Sequence, residues 1–364
     1  MTSGPAAGPD TYPGGTSSVG TATSPPALGT GRLESLSTGP FELESGIALE
    51  DLTVAYRHDG PGPADAPQVL AIHALTGSAD AAGDWWSPLI GPGLALDTDR
   101  VGVLCANLLG GCYGTTGPTS SDPRTGRPFG GVFPEVSTRD QARAQWRLLD
   151  VLGIRELAVV TGGSLGGMVS LEVALERPAA VRTVLPMAAP AATGALAMAW
   201  NAIQLEMIEA LGERGLALAR QLAMTTYRSE ADFDGRFGRQ LEADGRLSIA
   251  SYLEYQGRKL VERLDPDTYR ILVRAMDLHD IGRDRGGTVA ALATLVAAGT
   301  RLVGLGISGD ILYGPAQVQA LVRDANVAGV GAVYRELDST KGHDAFLVEW
   351  DQLGAVLRGA LSPE

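Results

Sequence analysis

The pattern of hydrophobic and polar positions changes along the first half of the chain. Residues 41–43 and 52–56 alternate between apolar and polar side chains, which predicts a half-exposed antiparallel pair of strands. Continuous apolar runs then follow at residues 69–72, 101–104 and 157–160. Runs of this kind are typical of strands that helices bury on both faces, as in a parallel sheet.

Between the last two of these runs, apolar residues recur at the spacing of a helix. Ser137 and Thr138 supply a helix start signal, and Ala142, Trp146 and Leu149 then recur on one face. Strand and helix therefore alternate, which predicts a βαβ architecture. The alternation returns near the end of the chain, with strands predicted at 301–305 and 332–334 and a helix at 316–322.

Residues 191–285 interrupt this alternation. Helices are predicted at 195–211, 216–226 and 249–264, and the block contains no convincing strand pattern. A helical block inside an α/β frame is typical of a lid that covers an active site and excludes water. The predicted division is an α/β core over residues 33–190 and 286–364, with a helical lid over residues 191–285.

The first 32 residues are predicted to form a disordered tail. Residues 1–30 are mostly Gly, Pro, Ser, Thr and Ala, and Asp10 is their only charged residue. Such a segment buries too little apolar surface to offset the entropy lost on ordering it. It also lacks the basic and apolar regions of a signal peptide.

Charge and cysteine content narrow the classes of function. With 29 Lys and Arg against 42 Asp and Glu, the net charge is −13, which argues against a dedicated nucleic-acid or membrane binder. The two cysteines, Cys105 and Cys112, cannot build a disulfide framework, so we expect a cytoplasmic protein. The uncharged stretch 183–205 is rich in Ala and contains Pro186 and Pro190, which favours a strand followed by a helix over a membrane span.

The strongest chemical signal is a Gly-x-Ser-x-Gly motif formed by Gly162, Ser164 and Gly166. It lies between a predicted buried strand and a predicted helix at 168–175, which is the setting of a nucleophile elbow. Small residues let the chain turn sharply and present the Ser164 hydroxyl, and the Leu165 N–H could stabilise a developing oxyanion. The alternative is a glycine-rich turn without chemistry.

A nucleophilic serine needs a base, and the chain has four histidines, His58, His73, His279 and His343. Enzymes with this elbow carry their residues in the order Ser, Asp or Glu, His, which leaves His279 and His343. His279 falls at the end of the lid. His343 lies in the loop after a predicted strand, so it is the predicted base.

The third member is expected to be a carboxylate at the end of an earlier strand. Asp310 follows the predicted strand 302–307 through Ser308 and Gly309, and it could orient the His343 ring. Asp338 is the competing candidate because it precedes His343 on the same loop. We predict Asp310.

The remaining sequence features indicate a chemical role less specifically than the triad residues do. A second oxyanion donor is expected from the loop after the strand at 69–72, and we assign it to the N–H of Leu75, with His73 as a structural residue. The glycine-rich segment 110–117 lacks the Lys-Ser/Thr of a phosphate-binding loop. The cysteines and histidines show no metal-ligand spacing, so no metal is expected.

Four separated motifs resemble one family. They are residues 73–77, 107–118, 163–168 and 342–347, with the sequences HALTG, NLLGGCYGTTGP, GSLGGM and GHDAFL. Over residues 38–360 the chain resembles the homoserine O-acetyltransferases of the α/β-hydrolase superfamily. The resemblance implies a mostly parallel central sheet flanked by helices, an inserted helical lid, and a triad of Ser164, Asp310 and His343.

The resemblance also implies a reaction and its partners. An acetyl group would move from acetyl-CoA, a co-substrate, to the hydroxyl of L-homoserine by a ping-pong route in methionine biosynthesis. Arg220 matches the family arginine that holds the substrate carboxylate, Tyr227 matches a tyrosine of the same pocket, and Asp344 matches the contact to the amino group. The resemblance implies a homodimer that forms through the lid helices, and it implies no permanently bound cofactor.

Several alternatives stay open at this point. The donor could be succinyl-CoA, the acceptor could be serine, or the same triad could serve an esterase or thioesterase that uses water. The chain could also be an inert α/β hydrolase that only binds. The intact triad argues against the inert protein, and Arg220 and Asp344 favour a transferase over a hydrolase.

Overall fold

A computed structural model of the protein describes residues 28–362. The strands of its main sheet are β1 Leu33–Ser37, β4 Thr53–Asp59, β5 Gln68–Ile72, β8 Gly102–Ala106, β9 Leu157–Gly163, β10 Val181–Met187, β11 Arg301–Ile307 and β12 Ala332–Leu337. Two small ribbons pair β2 Phe41–Glu42 with β3 Ala48–Leu49, and β6 Ile90–Gly91 with β7 Leu96–Asp97.

The main sheet is mostly parallel and follows the order β1-β4-β8-β5-β9-β10-β11-β12. Only β1 with β4 and β4 with β8 pair antiparallel among its described strands. Both faces are covered, since Leu70 and Ile72 of β5 pack into one core whereas Val69 and Ala71 pack into the other. The prediction of a parallel sheet with doubly buried strands is confirmed.

Helices flank the sheet and fill the insertion between β10 and β11. Their bounds are α1 Thr138–Val151, α2 Leu165–Glu176, α3 Ala195–Leu211, α4 Glu213–Tyr227, α5 Glu230–Arg236, α6 Ser248–Val261, α7 Pro266–Asp277, α8 Thr288–Ala293, α9 Pro315–Ala328 and α10 Trp350–Leu361. Helix α1 begins at the predicted signal because the Ser137 hydroxyl accepts the Asp140 N–H and Asp140 accepts the Ser137 N–H.

Helices α3 to α7 lie within residues 191–285, the part of this insertion that we call the lid. Helix α3 has the predicted bounds, and α4 and α6 lie within a few residues of theirs. Helices α5 and α7 are not among the helices predicted from the sequence. Start signals for α7 are nevertheless present, because the Asp265 side chain accepts the Thr268 N–H and Pro266 occupies the first turn.

Buried and half-buried charges tie the end of the lid to the core. Arg285 donates to Glu172 and Glu176 of α2 at 2.7 and 2.9 Å. Arg139 of α1 lies 3.6 Å from Glu172, whose side chain is 1% exposed. Because α2 begins directly after Ser164, these charges hold the lid to the helix that follows the predicted nucleophile.

Two expectations for the N-terminal region differ from the structure. Segment 41–43 does not pair with 52–56: β2 pairs with β3, and β4 lies between β1 and β8. Strand β4 is also mostly buried rather than half-exposed, because it lies between two strands and Val54, Ala55 and Tyr56 are buried. Alternation along the chain does not name the partner of a strand. The predicted tail lies mostly outside the described residues, but residues 28–32 are described, and the Gly29 N–H donates to His58 Nδ1 at 2.8 Å.

The uncharged stretch 183–205 divides into most of β10 and the first part of α3, as predicted. Within residues 28–362, no helix combines the length and the apolar character that a membrane crossing needs.

Candidate active site

Ser164 occupies a strained turn between β9 and α2. Its backbone angles are φ 57° and ψ −124°, in a region that residues other than glycine rarely adopt. Its N–H donates to the Met187 carbonyl of the neighbouring strand at 2.9 Å, which holds the turn in place. The residue is 5% exposed. The predicted sequence of strand, sharp turn and helix is confirmed.

Close backbone contacts explain the glycines of the motif. A Cβ on Gly162 would lie 2.7 Å from the carbonyl carbon of Gly166, and a Cβ on Gly166 would overlap the carbonyl oxygen of Ile72. The first turn of α2 therefore packs directly on the end of β5. Only glycine permits this approach of two backbones.

His343 and Asp310 form a buried pair. His343 lies on the short 3₁₀ helix Gly342–Leu347, and its Nδ1 is 2.7 Å from Asp310 Oδ2. The other Asp310 oxygen accepts the N–H groups of Leu312 and Tyr313 at 2.8 and 3.0 Å, which fixes the carboxylate. With Nδ1 donating, Nε2 is the basic nitrogen of His343, and no described residue bonds to it. A buried polar atom without a partner is typical of a functional position.

Asp338, the competing carboxylate, lies on the surface. Its Oδ1 accepts the Ser308 hydroxyl at 3.3 Å, and its side chain is exposed. The structure therefore pairs His343 with Asp310 rather than with the carboxylate that is nearer in sequence.

Asp310 also sets the basicity of the ring. Burial by itself lowers the pKa of His343, but the charge of Asp310 and its hydrogen bond, helped by Asp344, outweigh burial. The pKa therefore lies above its ordinary value of 6.5. A neutral His343 is thus a stronger base than a free histidine.

The predicted triad lies along one edge of the sheet. Ser164 follows β9, Asp310 follows β11 and His343 follows β12, and these strands belong to the parallel part of the sheet. A Cβ on Gly163 would overlap the ring of Phe346, whose centroid is 5.7 Å from that of His343. The 3₁₀ helix that carries His343 therefore packs against the end of β9, beside Ser164.

The two predicted oxyanion donors lie on neighbouring segments. Leu165 is the first residue of α2, and Leu75 lies in a turn that the Gly77 N–H closes by donating to Ala74 at 2.9 Å. Strands β5 and β9, which precede these segments, are adjacent. Neither the Leu75 N–H nor the Leu165 N–H has an acceptor among the residues that the structure describes.

His73 and His279 form hydrogen bonds with groups other than Asp310. His73 Nδ1 lies 2.8 Å from the Ala74 carbonyl, and its Nε2 accepts the Leu108 N–H at 3.0 Å. His279 bonds to Thr138 and to the Pro190 carbonyl, each at 3.1 Å. Burial lowers the pKa of both rings to about 4, so both are neutral at physiological pH.

Arg220, Tyr227 and Asp344 cluster beside His343. The ring centroids of Tyr227 and His343 are 5.8 Å apart, and the guanidinium carbon of Arg220 is 5.3 Å from the Tyr227 centroid. Burial raises the pKa of Tyr227, and Asp344 raises it further while Arg220 opposes the change, so the hydroxyl stays protonated.

Within residues 28–362, no group of three or more His, Cys, Asp and Glu side chains could hold a metal ion.

Comparison with known proteins decides the family. A family model described as the alpha/beta hydrolase fold matches residues 67–252. The homoserine O-acetyltransferase of Moorella thermoacetica is 42% identical over 348 residues, which cover 87% of this chain and 92% of that protein. The chain belongs to the homoserine O-acetyltransferase family. The family resemblance and the expectation of an enzyme are thereby confirmed.

Solved structures agree on the fold. The homoserine O-acetyltransferase of Bacillus anthracis superposes with a TM-score of 0.84 at 21% identity, covering 92% of this chain and 98% of that one. Esterase E22 superposes with a TM-score of 0.83 at 23% identity, covering 91% and 100%. At these identities the likeness concerns the fold alone, and the predicted α/β-hydrolase fold is confirmed.

Sequence reasoning misses one charged residue of this homoserine O-acetyltransferase family member. Arg228 follows Tyr227 directly, and its Nη2 lies 3.4 Å from Asp344 Oδ2. No local spacing predicts this pair because the two residues lie on distant segments of the chain. The one available signal is that Arg228 sits beside a residue already assigned to the site.

Proposed function

We propose that this enzyme transfers an acetyl group from acetyl-CoA to the hydroxyl of L-homoserine, through an acyl-enzyme on Ser164. The observation that carries the proposal is the placement of Arg220 and Asp344, one positive and one negative, around Tyr227 and beside the buried His343. Homoserine carries a carboxylate and an ammonium group, which a fixed cation and a fixed anion can hold. Membership of the homoserine O-acetyltransferase family supports the same acceptor.

The first half-reaction acylates Ser164. His343 Nε2 takes the proton of the Ser164 hydroxyl, and the oxygen attacks the thioester carbonyl of acetyl-CoA. The N–H groups of Leu75 and Leu165 stabilise the oxyanion of the tetrahedral intermediate. The carbon–sulfur bond then breaks, and coenzyme A leaves as a thiol with the proton from His343.

The second half-reaction transfers the acetyl group. Arg220 holds the homoserine carboxylate, Asp344 holds its ammonium group, and the Tyr227 hydroxyl lines the pocket. His343 takes the proton of the acceptor hydroxyl, which attacks the acyl-enzyme, and Ser164 leaves as its alcohol with that proton. The lid limits access of water, which would otherwise hydrolyse the intermediate.

The acetyl donor is supported by the relatives, since the homoserine O-acetyltransferase of Moorella thermoacetica is 42% identical to this chain over 348 residues. Succinyl-CoA is the alternative donor on the same scaffold. Comparing acetyl-CoA with succinyl-CoA and homoserine with serine tests these choices.

An esterase is the second candidate, because the same triad could pass the acyl group from Ser164 to water. The test is release of coenzyme A from acetyl-CoA with and without L-homoserine. Release that depends on homoserine and yields its O-acetyl ester supports the transferase, whereas equal release without an acceptor overturns it.

We also propose a homodimer through the lid and a cytoplasmic location. Apolar side chains of α3 support the first, because Leu196 is 62% exposed and Ile203 is 45% exposed. The two free cysteines support the second.

Arg220→Ala should slow the second half-reaction and leave the first nearly unchanged. A hydrogen bond to a charged group contributes about 1.5–3 kcal/mol, which corresponds to roughly a tenfold to hundredfold loss of kcat/KM for homoserine. Stopped-flow timing of coenzyme A release and of acetyl transfer separates the two steps. Arg214→Ala, on an exposed part of α4, is the matched control. Equal slowing of both steps would contradict the assignment of Arg220.

Acylation should fall as the pH is lowered. His343 must be neutral to accept a proton, and its pKa lies above 6.5, so kcat/KM for acetyl-CoA should drop about tenfold per pH unit below that pKa. Asp310→Asn removes the charge that raises the pKa of His343, so the inflection in the pH profile of its residual activity should move to lower pH. Thiol release followed from about pH 5 to about pH 9 measures both profiles. A wild-type profile that is flat across this range would argue against His343 as the base.

A further inference from the structure

Arg228 is a cation beside the acceptor site that the proposed mechanism does not use. Helix α4 ends at Tyr227, and the backbone becomes extended at Arg228, with φ −116° and ψ 145°. The guanidinium then lies between two carboxylates. Its Nη2 is 3.4 Å from Asp344 Oδ2, and its Nη1 is 3.8 Å from Asp232 Oδ2.

The two carboxylates depend on Arg228 to different degrees. Asp232 is 1% exposed and has two further partners, Lys341 at 3.0 Å and Arg236 at 3.5 Å. For Asp344, Arg228 is the one ion-pair partner among the described residues. Removing Arg228 therefore leaves Asp232 paired and Asp344 without a cation.

The backbones on both sides of this ion pair are held together. The Ser229 hydroxyl donates to the carbonyl of Thr340. Gly342 has φ +72°, and a Cβ there would lie 2.7 Å from the Ser229 N atom and 2.7 Å from the Tyr227 carbonyl oxygen. The end of α4 thus packs directly on the loop before His343, which fixes where Arg228 can reach.

A site that binds its acceptor with two opposite charges can close on itself when the acceptor is absent. Without the acceptor, a cation and an anion in one pocket attract each other, and an ion pair between them would close the site. In the structure Arg220 has no carboxylate partner among the described residues; its guanidinium faces the Tyr227 ring instead. Asp344 is paired with Arg228 instead.

We propose that Arg228 is a positioning residue that pairs with Asp344 in the acceptor-free enzyme and keeps this carboxylate away from Arg220. The inference rests on the proposed function, because it concerns how the homoserine site stays open. The acceptor ammonium binds the Asp344 oxygen that Arg228 leaves free, and the acceptor carboxylate binds Arg220. Arg228 then touches neither the acceptor nor the reacting atoms.

The test is Arg228→Gln, which keeps most of the side-chain volume and removes the charge. If the closed pair then held about nine-tenths of the free enzyme, KM for homoserine would rise about tenfold. Acylation by acetyl-CoA, measured at a pH where His343 is neutral, should stay within about twofold of wild type, because neither Arg220 nor Asp344 is assigned a contact to acetyl-CoA. Arg228→Lys, which restores the charge, should recover most of the KM.

Arg236→Ala is the matched control, since Arg236 contacts the same Asp232 but not Asp344. It should leave KM for homoserine unchanged. An unchanged KM in Arg228→Gln, or equal slowing of both half-reactions in Arg228→Gln and Arg228→Lys, would overturn the positioning role. Absence of homoserine-dependent turnover in the wild type would instead overturn the proposed function itself.

Discussion

Ser164→Ala should abolish the acyl-enzyme, with a loss of turnover of roughly 10⁴- to 10⁶-fold. Alanine has no oxygen to attack the thioester, and the remaining oxyanion donors bind acetyl-CoA without accepting its acyl group. Intact-mass spectrometry after incubation with acetyl-CoA alone should show one acetyl adduct on the wild type and none on the variant.

A second buried serine provides the control for this experiment. Ser170 lies on α2, and its hydroxyl donates to the Gly166 carbonyl at 2.7 Å, so it is not available as a nucleophile. Ser170→Ala should keep the adduct. An adduct of equal yield on Ser164→Ala would remove this serine from the mechanism.

Asp310→Asn should lower turnover by about 10⁴-fold while the protein stays folded. The asparagine oxygen can still accept the Leu312 and Tyr313 N–H groups, but its NH₂ then faces His343 Nδ1. That nitrogen must become an acceptor, so the proton moves to Nε2, the nitrogen that should take the serine proton. The base is then in the wrong tautomer.

Steady-state turnover and thermal unfolding of Asp310→Asn check the two parts of this expectation. Asp338→Asn is the matched control, because Asp338 is exposed and does not contact His343. If Asp338→Asn loses activity and Asp310→Asn keeps it, the carboxylate of the triad is assigned to the wrong residue.

Local sequence patterns predict much of the fold because their causes are local. Apolar runs at 69–72 and 157–160 mark strands that must be buried on both faces. The capping residues around Ser137 fix the start of α1. Helix α7 carries the same kind of local signal, because its Asp265-Pro266 start is followed by Tyr269, Leu272, Val273 and Met276 at helical spacing, so a local pattern is sufficient to predict it.

The sequence by itself determines the Ser164 turn, since the glycines at 162 and 166 are needed wherever a strand, a sharp turn and a helix approach so closely. It also limits the base to one of two histidines. Which carboxylate pairs with the histidine base is decided only by the tertiary structure. The parallel sheet brings Asp310 to His343, whereas Asp338, close in sequence, points to solvent. The same packing brings Arg228 of the lid to Asp344 of the core. The physical reason is that side chains far apart in the sequence meet only where strand order and helix packing bring their ends together, and no spacing along the chain records that order.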